Sequence, residues 1–567
     1  KMGGGKPVAT SEPAQQAVAV QRSLHLQAVA LGILAVLAGL TVALVCGQLV
    51  ARQTVLESVD HPSLSAVGMT GTELWGLGVV RAALIGTGGA VVAAATAVAL
   101  SPRFPIGLAR VAEPRPGLAV DLPALTVGAL ASVVAVMLLV VFPFRRRTGR
   151  TDGLAEIGVS KGRRRPSTVA DRLARAGCPP TVSAGVRMAL EPGRGRTAVP
   201  VRTAVVCAVV AMTALAASLT FAASLSHLLS TPRLYGTTFD AVINRTGGDD
   251  ITVVPAVPVL LSDPELSAVG VGYVGIPVRV GHVDAGAVAL DVRKGSLPPL
   301  IIEGRAPTGP DEVALGTRTL HDLGARVGQT VQGVISVADA QPSPVHIVGR
   351  AVLPQGGEST GLGQGTVATV QALRRLAGNG DFPDPTNAVV RFGPGVVDKA
   401  RARARLSDRL TRALGDGWTV SAPDKPTDVV NFGHVQNLPV VMAAVLALLA
   451  AATVGHLLVT SVRRRRHDLA VLKSLGFVRG QVAAVVGWQA TTLIVIALGL
   501  GLPLGIAVGR WAWGLVAGQL GILPRPITPL DTLLALAPAA FLVVNLIAAV
   551  PAWSAGRTAP AVVLRSE

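Results

Sequence analysis

Catalytic equipment is what this sequence lacks. His282, His321, His346 and His434 stand at no metal-ligand spacing. Ser343 and Ser359 have no histidine and acid placed to activate them, so no hydrolase signature is present. Gly3-Gly4-Gly5-Lys6 imitates a phosphate loop, but the further upstream Gly is missing and Pro7 stands where Ser or Thr should follow. No other stretch completes a Walker motif, so the chain is not expected to hydrolyse ATP by itself. Cysteine is scarce: Cys46 and Cys207 lie in apolar runs and Cys178 in a basic linker, which excludes a disulfide framework. Aromatic residues make up 3% of the chain, and acidic residues number 33 against 51 basic ones. The formal charge of +18 invites a nucleic-acid partner, but the basic residues gather beside apolar runs, the pattern of membrane topology, and no nucleic acid is expected.

Apolar length is what the sequence has. Of its 567 residues 50% are hydrophobic, and the mean hydropathy is +0.54. Seven runs reach the ~20 residues that cross a hydrocarbon core: 24–50, 74–100, 122–144, 198–228, 438–462, 482–511 and 532–552. Arg81, Gln489 and Asn545 are the clearest polar side chains inside them, too few for the path of a charged solute. The loop from Ser101 to Asp121 is rich in Pro and Gly and reads as irregular. Arg145-Arg146-Arg147 and Arg163-Arg164-Arg165 make 145–197 a basic linker, either a connector touching lipid headgroups, which is favoured, or a partner site.

Residues 230–436 differ. Short β-rich runs over 239–243, 278–283, 287–292, 330–337, 346–352 and 388–392 alternate with turn signals, and helical patterns intervene at 317–323 and 397–414. This reads as an α+β domain of two subdomains.

The chain is organised around Arg463 to Gly476, a polar elbow between two spans. Its arginine cluster marks the cytoplasmic side. Leu469, Leu472 and Leu475 recur at helical spacing, and Gly476 is placed to end the helix. Two readings stand. Leu472 and Leu475 fill an apolar groove of a soluble partner while Arg465 and Lys473 meet its acidic rim, or the helix lies on the membrane with its basic face on anionic lipid.

The two membrane ends also resemble each other at one constant offset. Leu64-Ser65-Ala66-Val67-Gly68-Met69 aligns with Leu472-Lys473-Ser474-Leu475-Gly476-Phe477, and Pro116, Leu122 and Pro143 align with Pro524, Leu530 and Pro551. Seven spans and a cytoplasmic C-terminus would put Lys1 outside. The expectation is therefore that a further span and outer domain precede it.

At these residues the chain resembles the FtsX-like permease family, the membrane subunits of MacB-type ABC transporters. The carrying segments are Arg465, Asp468, Leu472 to Gly476, Gln481, Gln489, Gly499 to Gly509, and Pro551-Ala552-Trp553-Ser554-Ala555-Gly556-Arg557 with Val563-Leu564-Arg565. Glu303-Gly304-Arg305-Ala306-Pro307 and Asp311-Glu312-Val313-Ala314-Leu315-Gly316 resemble the family's outer domain. Repeat one keeps Leu64, Gly68 and Pro143 but has no arginine run ahead of its turn. The duplicated form looks like the long actinobacterial members.

The resemblance implies a polytopic α-helical protein of the plasma membrane. It would have two FtsX-like repeats of three or four helices, an α+β extracytoplasmic domain like the MacB periplasmic core, and a cytoplasmic C-terminus. The expected divisions are an extracytoplasmic lead-in 1–23, repeat one 24–144, the linker 145–197, a transmembrane helix 198–229, the outer domain 230–436, repeat two 437–553 and a tail 554–567. The ATPase-coupling turns would be Arg465, Asp468, Leu472, Lys473, Leu475 and Gly476, with Leu64, Val67, Gly68 and Met69 in repeat one. ATP and magnesium would belong to a separate ABC-type ATPase pair. Membrane lipids and a protein or lipid outside complete the expected partners. The competing reading is a membrane-anchored scaffold or sensor without ATP-driven motion.

Overall fold

The computed structural model describes residues 32, 39, 66–103, 118, 120–148, 168–191, 201–246, 251–336, 341–354, 362–378, 382–426, 429–430, 433 and 437–557. Apart from residues 32 and 39 the expected first span lies outside them, as do the lead-in, Leu64, Arg163 to Arg165 and the end of the tail. The chain divides into two compact units. A helical unit draws on 31–223, 437–511 and 528–567, and a sheet unit includes 224–436 and 512–527.

In chain order the elements are α1 (Gly71–Leu100), α2 (Leu122–Thr148), α3 (Thr168–Arg175), α4 (Pro180–Leu190), α5 (Val201–Ser230), β1 (Ala241–Arg245), α6 (Val257–Ser262), β2 (Leu266–Val280), β3 (Val283–Lys294), β4 (Leu300–Gly304), β5 (Glu312–Gly316), α7 (Thr317–Leu323), β6 (Thr330–Ile335), β7 (Ser343–Val352), β8 (Thr366–Ala368), α8 (Val370–Leu376), β9 (Asn387–Phe392), α9 (Lys399–Leu414), β10 (Trp418–Ser421), α10 (Leu438–Arg464), α11 (Arg466–Ser474), α12 (Arg479–Leu520) and α13 (Leu530–Arg557).

Among the described residues, five helical segments are long and apolar enough to cross a membrane: Gly76–Leu100, Val205–Ser230, Leu438–Arg464, Arg479–Leu520 and Leu530–Arg557. The apolar run expected at 122–144 lies within α2, a helix of 27 residues. The linker holds two helices, α3 and α4, and α12 runs to 42 residues.

The core of the helical unit joins α5, α10, α12 and α13 through Met212, Leu215, Leu458, Leu493, Val544 and Ala548. Without a hydrophobic drive between helices in lipid, close backbone approach and polar contacts must hold them. Gly501, Gly505 and Gly509 give one face of α12 that approach. A Cβ on Gly505 would lie 2.5 Å from Ala216 Cβ and 2.6 Å from the Thr213 carbonyl on α5. Gly499 and Gly487 meet nothing within 4 Å. Buried Gln489 donates from Nε2 to Ser461 Oγ of α10 at 2.9 Å, and Thr491 donates to Asn545 Oδ1 of α13 at 3.4 Å. The polar groups of these spans therefore join helices.

The sheet unit holds one ten-stranded mixed sheet in the order β10-β1-β9-β2-β3-β8-β5-β7-β4, with β6 pairing β2 and β7. It has two main cores. Ile243, Leu260, Val269, Val390, Leu406, Leu410 and Trp418 fill one, under α6 and α9. Tyr273, Val280, Leu315, Ile335, Ile347 and Leu373 fill the other, under α7 and α8. Strands lie at the expected runs 239–243, 287–292, 330–337, 346–352 and 388–392, whereas 278–283 spans the turn between β2 and β3 and most of β2 was not expected. β4, β5, β8 and β10, which are shorter or more polar, were not anticipated.

Most cations of arginine-rich α9 are paired within the unit. Lys399 pairs with Asp240 at 2.7 Å, Arg405 with Glu265 at 3.0 Å and Arg409 with buried Asp263 at 2.6 Å. The motif around Arg305 is also structural. Its guanidinium forks onto Glu312, whose carboxylate accepts the Thr308 amide at 2.9 Å and the Gly309 amide at 3.1 Å.

Candidate functional site

The elbow forms where α10 ends at Arg465. Arg465 leaves the helical backbone (φ −94°, ψ 20°), ends α10 and opens α11. Gly476 stops α11. At φ +99° its amide bonds the Lys473 carbonyl and that of Phe477 bonds the Leu472 carbonyl, the double closure that a residue without Cβ permits.

Burial then sorts the α11 side chains. Leu469 and Ala470 are buried, and Leu472 turns inward beside Phe477. The core they join contains Met188, Val462, Val482, Val485, Val486, Ala552 and Ala555. α11 itself leaves Arg466, Val471 and Ser474 open, and two apolar side chains follow it on the surface: Leu475 is 73% exposed and Val478 63%. The two leucines singled out by their spacing thus divide, Leu472 into the core and Leu475 onto the surface.

The cations divide from the expectation too. Arg465 is buried and donates to the Glu191 carbonyl at the end of α4. Its Nε has no hydrogen-bond partner among the described residues. Burial pushes its pKa down, opposed by Asp468 and then Glu191. Lys473 donates to the Gly556 carbonyl of α13 at 2.7 Å, and burial, then Arg479, lowers its pKa. Both are latched to ends of neighbouring helices, and Asp468 is half-buried beside Arg465.

α4 was missed. Gly185 packs against Trp488 and Val485 of α12, and Met188 enters the elbow core. Pro180 at the helix start and Val182, Val186 and Leu190 at helical spacing were the available signal. The charge of the surrounding linker masked it.

The described part of repeat one, from residue 66 onward, agrees with this at several points. Gly68 has φ +104° and Gly476 φ +99°. Val67 is 85% exposed at the position of Leu475. Thr70 opens α1 with a capping box in which Glu73 accepts its amide at 2.8 Å. At the matching place Gln481 accepts the Val478 amide at 3.0 Å. α1 and α12 start at 71 and 479, α2 and α13 at 122 and 530, so each pair keeps the 408-residue offset of the two glycines. Met69 is half-buried.

Residues 440–560 match the FtsX-like permease C-terminal family. Uncharacterized ABC transporter permeases of Mycobacterium bovis and Mycobacterium tuberculosis are 28% identical over 261 residues, 44% of this chain and 60% of each relative. The match thus spans about 60% of the length of these curated relatives. The periplasmic region of MacB from Actinobacillus actinomycetemcomitans is similar at 12% identity over 34% of this chain and 91% of that one, with a TM-score of 0.23.

Proposed function

From the premise that residues 440–560 are an FtsX-like permease domain, we propose that this chain is the permease subunit of an ABC transporter. A separate ATPase pair engages the elbows, and its closure is passed along the spans to the sheet domain outside the membrane. The work done there is export or extraction of an envelope lipid, lipoprotein or peptide, or mechanical signalling to an outside partner.

The observation that carries this reading is the exposed apolar patch of Leu475 and Val478, held on a latched elbow beside four consecutive arginines. Arginine clusters favour the cytoplasmic face. Trp488 and Trp511, both exposed on α12, lie 23 positions apart, about 35 Å of helix, close to one bilayer between its two interfaces. Trp553, stacked under Arg557 at 3.8 Å, is a further interfacial anchor at the elbow end of α13. Gln489 and Asn545 serve as bonds between helices, which supports spans that move as transmitters rather than as a conduit.

Inward packing decides the test. Replacing Leu472 would damage the elbow core, whereas Leu475→Asp charges only the surface. Leu475→Asp should keep the wild-type Tm and lose at least tenfold in ATPase capture and nucleotide-dependent stimulation, measured by co-purification from the native membrane. Unchanged capture by a folded variant would refute docking. A chain that captures no ATPase at all would favour the scaffold reading.

A further inference from the structure

The sheet unit contains a contact that the coupling reading leaves unused. α12 ends with Gly521 at φ +66°, whose amide and that of Ile522 close onto the Gly518 and Ala517 carbonyls. This terminus is packed inside the sheet unit: Trp513, Ala517, Leu520 and Ile522 are buried. Gly521 lies so close to Gly363 that a Cβ on it would stand 2.8 Å from the Gly363 Cα and 3.0 Å from Thr317 Cβ. Gly363 is tied in turn to the start of α7, its carbonyl accepting the Arg318 amide at 2.8 Å, while the neighbouring Gly365 amide bonds Thr319 Oγ1 at 2.9 Å. The proline-rich link after Gly521 is gripped again. Buried Ser224, near the end of α5, donates to the Ile527 carbonyl at 3.3 Å and accepts the Ile527 amide at 3.1 Å. Beyond α5, Gly236 packs directly on Leu353 and Pro354 at the end of β7. Both helix exits therefore grip the lobe built on β5, β7 and β8.

We infer that Gly521, Gly363, Thr317 and Ser224 form a fixed joint that passes displacement of α12 to the β5–β7–β8 lobe in preference to the β1–β9–β10 lobe. Two backbones in direct contact leave no side chain to yield, and the prolines at 524, 526 and 529 stiffen the link. α12 is continuous in sequence from Arg479, just after the elbow, to Leu520 at the joint, with Pro503 inside it. The inference rests on the coupling reading for the source of motion.

Hydrogen exchange on the full chain in lipid nanodiscs tests it. Gly521→Val, and the gentler Ser224→Ala, should speed amide exchange in Thr317–Leu323 and Thr366–Ala368 by about threefold or more. Ala241–Arg245 should stay unchanged, and Gly518→Ala, at a position with nothing within 4 Å, should be silent. Lys473→Met, which frees the elbow from Gly556, should alter exchange in Thr317–Leu323 when Ser224 is intact and cease to do so in the Ser224→Ala background. Equal effects on both lobes, no effect of the joint variants, or an elbow effect that is absent or indifferent to Ser224 would overturn the joint. No ATPase is in the sample, so such a failure leaves docking through Leu475 standing, and failed ATPase capture leaves the joint standing.

Discussion

Five hydrogen bonds end on the Glu312 carboxylate, from the Arg305 fork, the Thr308 amide and hydroxyl and the Gly309 amide. They hold its pKa well below the ordinary 4.5, the Arg305 hydrogen bonds first. A depressed folded pKa contributes stability that is present above the unfolded value and disappears as pH falls toward the folded one. The Tm of the full chain should therefore drop between about pH 5 and pH 3 more steeply than that of Glu312→Gln, which is weaker at neutral pH and flatter in acid. Equal slopes in thermal melts would contradict this. The resemblance had marked Arg305 and Glu312 as a family signature. That they face each other across a turn follows from the geometry of β4 and β5.

α12 shows how an element is read and misread. Its apolar length and glycine content are plain in the sequence, but only its packing separates working glycines from idle ones. Gly505→Leu would drive a side chain into the α5 backbone and should cost about 1–3 kcal/mol or more, read as a fall in full-chain Tm. Gly499→Ala, in open space, should be neutral or raise Tm slightly, since alanine favours helix by up to about 1 kcal/mol. A matching loss at both positions would mean that the α5–α12 contact does not hold the unit. The same distinction separates Leu472 from Leu475: spacing puts both on an apolar edge, and the neighbours α4 and α13 bury the first.

At the scale of the whole molecule, the paired helix starts and the positive-φ glycines Gly68 and Gly476 are the ground for proposing a second coupling turn. Val67→Asp should weaken ATPase capture less than Leu475→Asp, because repeat one has no arginine run ahead of its turn. The double variant should abolish capture. A Val67→Asp chain with wild-type capture would leave the first elbow a structural relic.

The sequence alone determined the membrane class, the place of five long apolar helices, the elbow and its glycine, and an α+β domain. Each depends on runs or periods within a few turns of chain, set by bilayer thickness and helical or strand repeat. Tertiary structure decided which face of the elbow is open, that Arg465 and Lys473 are already engaged, that the linker holds a packed helix, and how ten strands order themselves. Those outcomes depend on partners far apart in the chain: Lys473 with Gly556, Arg465 with Glu191, Gly363 with Gly521. No local pattern encodes a neighbour that only folding brings near.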